Sequence, residues 1–332
     1  MKDLLNDLTG LSAPSGNENI LRARIRHLIK PHVDEIRVDA LGNLIARKGH
    51  AASTGTRIMV AAHMDEYGVI ASHIDEHGFV RFNLLGSVLV THLPGSKVRF
   101  MNGVEGIIGT ENHESDPEHN AINHLFIDVG VNRRKDCRVE VGDVAAFVRP
   151  FEHVGDKFIA KALDNRAGIA VLIETVRTLK VTPHEIYYVF TVQEEVGVRG
   201  AGPAAHRLEP QLGIVVDVTQ AEDIPNHARQ TLALGKGPAI KIKDQSTLSD
   251  PQIVEWMIKA AKKSHLPYQR EVRSTGESDL QAMQFSKAGM AVGAISIPCR
   301  YMGTLSEMVD HEDLKIAAKL LKLLLSKPVV LA

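Results

Sequence analysis

The chain has 332 residues, 44% hydrophobic and 24% charged, which is the balance of a globular protein large enough to bury a substantial core. Its 39 Lys plus Arg nearly cancel its 40 Asp plus Glu, which argues against a charge-driven partner such as nucleic acid or a membrane surface. Cys137 and Cys299 are too few for a disulfide framework and lack metal-type spacing, so a reducing cytoplasm is the expected compartment. The opening MKDLLNDLTGL is too acidic for a signal peptide, and no apolar run reaches the length of a membrane span.

Helix and strand alternate in the first segment. Ser15-Gly16-Asn17-Glu18 has capping-box spacing, and Ile20, Ile25, Leu28 and Ile29 predict a helix face behind it. Ala40-Leu41-Gly42-Asn43 is expected to turn a hairpin between IRVDA and LIARK. The run Arg57–Ala62 suits a strand buried on both faces, and it ends abruptly at His63-Met64-Asp65-Glu66.

From residue 70 to 155 the texture changes to short strands (FVRFNLL, SKVRFM, GVEGIIG, HLFIDVGV, DVAAFVRP) divided by Gly, Asn and Asp. This predicts a small barrel or sandwich inserted into an α/β domain made of residues 1–69 and 156–332. The α/β pattern resumes with a short strand, Asp164 in a loop, and a helix carrying Ala167, Ala170, Val171, Ile173 and Val176. The strand EIYYVFTV runs into Gln193-Glu194-Glu195, and LGIVVDVT carries Asp217. Further helices are predicted from Ser249-Asp250-Pro251 to Ala261, over 279–288 and over 310–327, with the strand AVGAISIP between the last two. The fold class is therefore α/β, a mixed sheet with helices on both faces and an inserted all-β unit.

In open α/β sheets, ligands gather beyond the carboxyl ends of the strands. His63, Asp65, Glu194, Glu195 and Asp217 all sit at such ends, and Asp164 sits just ahead of a helix. Singly, each has a structural explanation: a histidine closing a strand, a solvated Glu-Glu turn, an aspartate helix cap. Together they repel unless cations intervene, and mixed nitrogen and oxygen donors suit zinc, cobalt or manganese better than calcium.

AAHMDEYG, KALDNRAG, VQEEVGVRGA and VVDVT closely resemble, in order and spacing, the motifs of the TET-type (glutamyl and deblocking) metallo-aminopeptidases. SAPSG and DALGNLIA match as well, so the likeness runs along nearly the whole chain. The resemblance implies two divalent metal ions per subunit, zinc or cobalt, short peptide substrates, and a tetrahedral homo-dodecamer that the β insert helps to assemble. By position it implies that Asp164 bridges the metals, that His63 and Asp217 complete one site, and that Glu195 serves the other. Glu194 is then the general base toward the attacking water, and Asp65 orients the His63 imidazole.

Two departures stand out. Gly303 occupies the place of the family's last ligand, a histidine, in Arg300-Tyr301-Met302-Gly303-Thr304. Glu277, in Thr275-Gly276-Glu277-Ser278-Asp279, stands where the family has a small residue. The second metal site is thus expected to be weak or empty unless His311, Glu277 or water replaces the lost ligand. Metal-dependent aminopeptidase activity is the leading expectation. A related amidase or deacylase is one alternative, and an impaired scaffold that keeps the assembly is the other.

Overall fold

The computed structural model describes residues 1–53, 55–111, 122–225 and 232–329. Helices α1 (Lys2–Thr9) and α2 (Asn19–Ile29) lead into strands β1 (Glu35–Val38), β2 (Leu44–Lys48) and β3 (Arg57–His63). Six strands follow: β4 (Gly68–Ile74), β5 (Val80–Leu85), β6 (Lys97–Phe100), β7 (Glu105–Thr110), β8 (Leu125–Asp128) and β9 (Val144–Phe147). The chain continues through β10 (Glu152–Val154), β11 (Lys157–Ala160), α3 (Leu163–Thr178), β12 (Glu185–Thr191), α4 (Ala201–Leu208) and β13 (Leu212–Gln220). It ends with β14 (Ala239–Lys243), α5 (Pro251–Lys263), β15 (Gln269–Val272), α6 (Asp279–Gln284), β16 (Ala291–Arg300), β17 (Glu307–Asp310) and α7 (His311–Leu325).

Among the described residues one mixed sheet runs β1-β2-β12-β3-β13-β16-β17-β11-β10, with β14 and β15 branching from β16. Its centre is parallel: β12 pairs β3, β3 pairs β13, and β13 pairs β16, all in the same direction. The expected burial of β3 on both faces holds. Ile58, Val60 and Ala62 pack into the core that includes α1, α2, α3, α5 and α7, while Met59 and Ala61 pack under α4 and α6. A continuous apolar run, rather than an alternating one, is what such a two-sided environment selects.

Strands β4 to β9 form a separate closed antiparallel barrel, in the order β4-β5-β8-β7-β6-β9. Val69, Val80, Phe82, Val98, Phe100, Ile127 and Phe147 fill its interior. The barrel segment leaves the sheet after β3 and the sheet resumes at β10, so the expected insertion of a small β unit is what the fold contains. Among the described residues no helix is long and apolar enough to cross a membrane.

Local expectations met mixed outcomes. The hairpin is present, with Glu35 opposite Arg47 and Val38 opposite Leu44, and Asp39 Oδ1 accepts from the N–H groups of Leu41, Gly42 and Asn43 to shape the turn. The capping box before α2 is not formed. Ser15 Oγ donates instead to Asp65 Oδ2 at 2.6 Å, and Glu18 Oε1 accepts from the Gly16 N–H at 2.8 Å. Nor does Ile20 face the core, being 53% exposed; Leu21, Ile25 and Ile29, at a four-residue spacing, form the buried stripe. The sixth helix stops at Gln284, short of residue 288. Asp310 caps α7, its carboxylate accepting from the Glu312 and Asp313 N–H groups.

Candidate active site

The parallel register decides which side chains meet. His63, the last residue of β3, lies opposite Thr191, the last residue of β12, so the chain leaving β12 delivers Glu194 and Glu195 above the imidazole. On the other side β13 pairs with β3 over Leu212–Val215 and carries Asp217 two residues further on. Asp164 arrives from a different direction, in a non-helical opening of α3 (φ −80°, ψ 103°) that turns its carboxylate toward the same point. Five residues from four separate segments thus converge at the carboxyl edge of the sheet.

His63 Nε2 is 3.1 Å from Asp164 Oδ1, 3.8 Å from Asp217 Oδ1 and 3.9 Å from Glu194 Oε2. Its other nitrogen, Nδ1, lies 3.2 Å from the Asp65 carbonyl oxygen and 3.7 Å from the Asp65 carboxylate. Two donor sets can each gather round a single point, His63 with Asp164 and Glu195, and His63 with Glu194 and Asp217; within each set the donor atoms lie within 4.8 Å of one another. These residues line a cleft of about 380 Å³ together with Tyr67, Ser87, Val198, Gln245, Glu277 and Met302.

Burial makes this cluster electrostatically expensive. It pushes Glu194 well above the usual carboxylate range, Asp217 and Asp279 adding to the effect and His63 opposing it. Burial also pushes Glu195 up strongly, with Asp164 adding repulsion. Asp217 is pushed up to about 7 because burial outweighs the pull of His63. For the imidazole, burial works against the charged form, but Glu194, Asp164 and Asp65 outweigh it and hold His63 well above its ordinary value. Carboxylates packed so closely cannot all stay ionised without added positive charge. Glu195 moreover keeps a buried Oε1 with no hydrogen-bond partner among the described residues. One imidazole nitrogen and several carboxylate oxygens are the donors a zinc-like divalent ion takes, so the residues present fit such an ion.

The site has a supporting frame that the sequence did not announce. Tyr67 donates its hydroxyl to Asp164 Oδ2 at 3.1 Å. Glu307, fully buried, accepts the Asp164 N–H at 2.9 Å and the Gly303 N–H at 3.3 Å. Asp65 accepts the N–H of Glu194 at 2.9 Å and that of Glu195 at 3.0 Å, besides the Ser15 hydroxyl. Behind it, Glu66 pairs with buried Lys161 and Arg166, and Arg166 Nη1 also donates to the Met64 carbonyl. Asp279 Oδ2 accepts from Thr191 Oγ1 at 2.5 Å. Tyr67 stands inside the AAHMDEYG motif and could have been noted; Glu307 and Asp279 carry no local signal, because only the fold shows that they are buried.

The two departures lie at different places. Gly303 adopts φ +75°, and a Cβ there would come within 3.3 Å of the Ser87 carbonyl oxygen. His311 is held elsewhere, its ring against Phe158 at a centroid distance of 5.0 Å and its backbone N–H donated to the Asp156 carbonyl oxygen, and it does not line the cleft. Glu277 does line it.

A mixed α/β sheet with a buried histidine–carboxylate cluster at its carboxyl edge defines a class, that of the hydrolytic α/β enzymes. Residues 42–320 match the M42 glutamyl aminopeptidase family. A putative aminopeptidase of Acetivibrio thermocellus is 44% identical over 323 residues, covering 97% of each chain. The solved aminopeptidase APDkam598 of the archaeon Desulfurococcus kamchatkensis superposes with a TM-score of 0.94 at 35% identity, covering 98% of this chain and 94% of that one. The TET1 peptidase of Pyrococcus horikoshii, which can assemble into a tetrahedron or a large octahedral shell, gives 0.88 at 29% identity over 98% and 99%. The chain belongs to the M42 aminopeptidase family, and it is a hydrolase of the aminopeptidase kind.

Proposed function

We propose that this protein is a metal-dependent aminopeptidase that removes N-terminal residues from short peptides, with Glu194 as general base. The observation that carries the reading is the pair of donor sets that share His63. On this reading His63, Asp164, Glu195 and Asp217 would hold up to two divalent ions, zinc or cobalt, with Asp164 the carboxylate that the family resemblance assigns to both. When bound, such ions acidify water and offset the charge that develops on the scissile carbonyl oxygen. Glu194 lines the same cleft from a turn anchored through its N–H to Asp65, where its carboxylate can take the proton of the attacking water and pass it to the leaving amine. Asp65 acts through others: it orients His63 and fixes the main chain under both glutamates.

The same reading divides the chain into an α/β catalytic unit, residues 1–69 and 156–332, and a β unit, residues 70–155, that serves assembly and substrate access. A homo-oligomer, as in the TET1 relative, fits this family membership. Both cysteines are free, which supports a cytoplasmic setting.

The test is hydrolysis of aminoacyl anilides after loading with zinc, cobalt or manganese, in wild type and Glu194→Gln. The variant should keep its metal content and lose turnover. Full activity in Glu194→Gln would remove Glu194 from the base role, and absence of hydrolysis in the wild type under every loading would sink the aminopeptidase reading.

A further inference from the structure

The charge balance of the cleft leaves one carboxylate over. Around His63 stand Asp164, Glu194, Glu195 and Asp217, and two divalent ions match these four acids in charge. Glu277 is the remaining charged residue of the lining, and no lysine or arginine lines the cleft among the described residues. Glu277 is solvent-exposed and has no ion-pair partner among the described residues.

Its position is not left to a wandering loop. The next two residues, Ser278 and Asp279, are buried at the start of α6. Asp279 is tied by its 2.5 Å hydrogen bond to Thr191, at the end of the strand that delivers Glu194 and Glu195. The base of the Glu277 segment is therefore fixed to the catalytic edge, while Glu277 itself lines the cleft, as do Gln245 and Met302. A wall of apolar and neutral polar groups ending in one unpaired anion is the complement of a long side chain with a cationic tip: Val218 and Met302 accommodate methylenes, and the carboxylate meets the terminal charge.

We propose that Glu277 determines specificity in this cleft, selecting peptides whose N-terminal residue is lysine or arginine. The inference rests on the aminopeptidase reading of the same site, and its test separates the two. Wild type and Glu277→Gln, loaded with the same metal, are compared on lysyl, arginyl and leucyl anilides. The lysyl-to-leucyl ratio of kcat/KM should fall about five- to tenfold in the variant, through KM, as expected for loss of one charge pair open to solvent on one side. Glu277→Lys should depress the ratio further. An unchanged ratio overturns the proposal, including the case in which all substrates lose equally, which would mean that Glu277 contacts the α-amine instead. Binding of L-lysinamide against L-norleucinamide, followed by calorimetry on both proteins, gives the answer without turnover. A preference for lysinamide that disappears in Glu277→Gln supports the proposal even if hydrolysis fails, whereas equal binding of the two amides by the wild type overturns it.

Discussion

Asp65 and Glu194 are joined side chain to main chain: the Asp65 carboxylate accepts the Glu194 N–H at 2.9 Å through one oxygen and the Glu195 N–H at 3.0 Å through the other. One buried carboxylate therefore sets the height of both glutamates above the sheet while its neighbour in the chain, His63, supplies the imidazole. Asp65→Asn can accept with only one side-chain oxygen, so one of those N–H groups loses its partner. Metal affinity, read by competition with a chelating dye, should fall roughly 10- to 100-fold. Affinity within a factor of two of wild type would mean that the turn holds its shape without Asp65.

Gly303 makes a prediction about stoichiometry. The donor set containing Glu195 lacks a neutral nitrogen ligand beyond the shared His63, and His311 is packed against Phe158 and does not line the cleft. Titration of metal-free protein should resolve two binding events, the weaker at least about tenfold below the stronger. Gly303→His should narrow that gap, at a cost of about 1–3 kcal/mol in stability, because φ +75° and the Ser87 carbonyl at 3.3 Å both oppose a side chain there. Two equal sites in the wild type would show that the glycine is fully compensated.

Glu66 tests the scaffold rather than the chemistry. It is 2% exposed and faces Lys161 and Arg166, which are 4% and 0% exposed. Glu66→Gln strands two buried cations, and a loss of about 3–5 kcal/mol in urea unfolding is expected. A loss under about 1 kcal/mol would mean that neighbouring backbone carbonyls carry the cations unaided.

Acid sensitivity should come in part from His184, which precedes β12 at the end of that strand opposite the cleft. Burial holds its imidazole below the ordinary value of 6.5. Nε2 lies 2.7 Å from the Lys327 carbonyl oxygen, and Nδ1 accepts the Thr56 N–H at 3.1 Å, a pairing that only the neutral ring satisfies. The unfolded ring protonates near 6.5, so its contribution is whole above that pH and is lost as pH falls toward the lower folded value. Unfolding free energy measured from about pH 8 to about pH 5 should drop less steeply in His184→Asn than in wild type. Equal slopes would assign the acid sensitivity to other groups.

How far the sequence carried these conclusions depended on the range of the interactions. The β3 run and its terminal His63 were legible because burial on both faces leaves a continuous apolar signature, and the barrel was legible from closely spaced strands without helical periodicity. Ser15 misled because a capping serine and a serine reserved for a distant aspartate look alike until Asp65 is placed 50 residues away and 2.6 Å distant. Glu307 and Asp279 were silent for a related reason. An acidic residue acquires meaning by being buried, and β17 and α6 are too short to advertise burial. The β14, β15 and β17 strands were missed because four or five residues carry too little pattern.

Strands β4 and β9, the first and last of the barrel, are hydrogen-bonded neighbours, with Gly68 opposite Ala146. The chain therefore departs from the large sheet and returns to it at one doorway, and the barrel strands beyond it pair only with one another, though the loop at Ser87 reaches back to the cleft. Such a graft can lengthen, shorten or change its outer face over evolutionary time while the parallel strands that aim His63 and Asp217 keep their register.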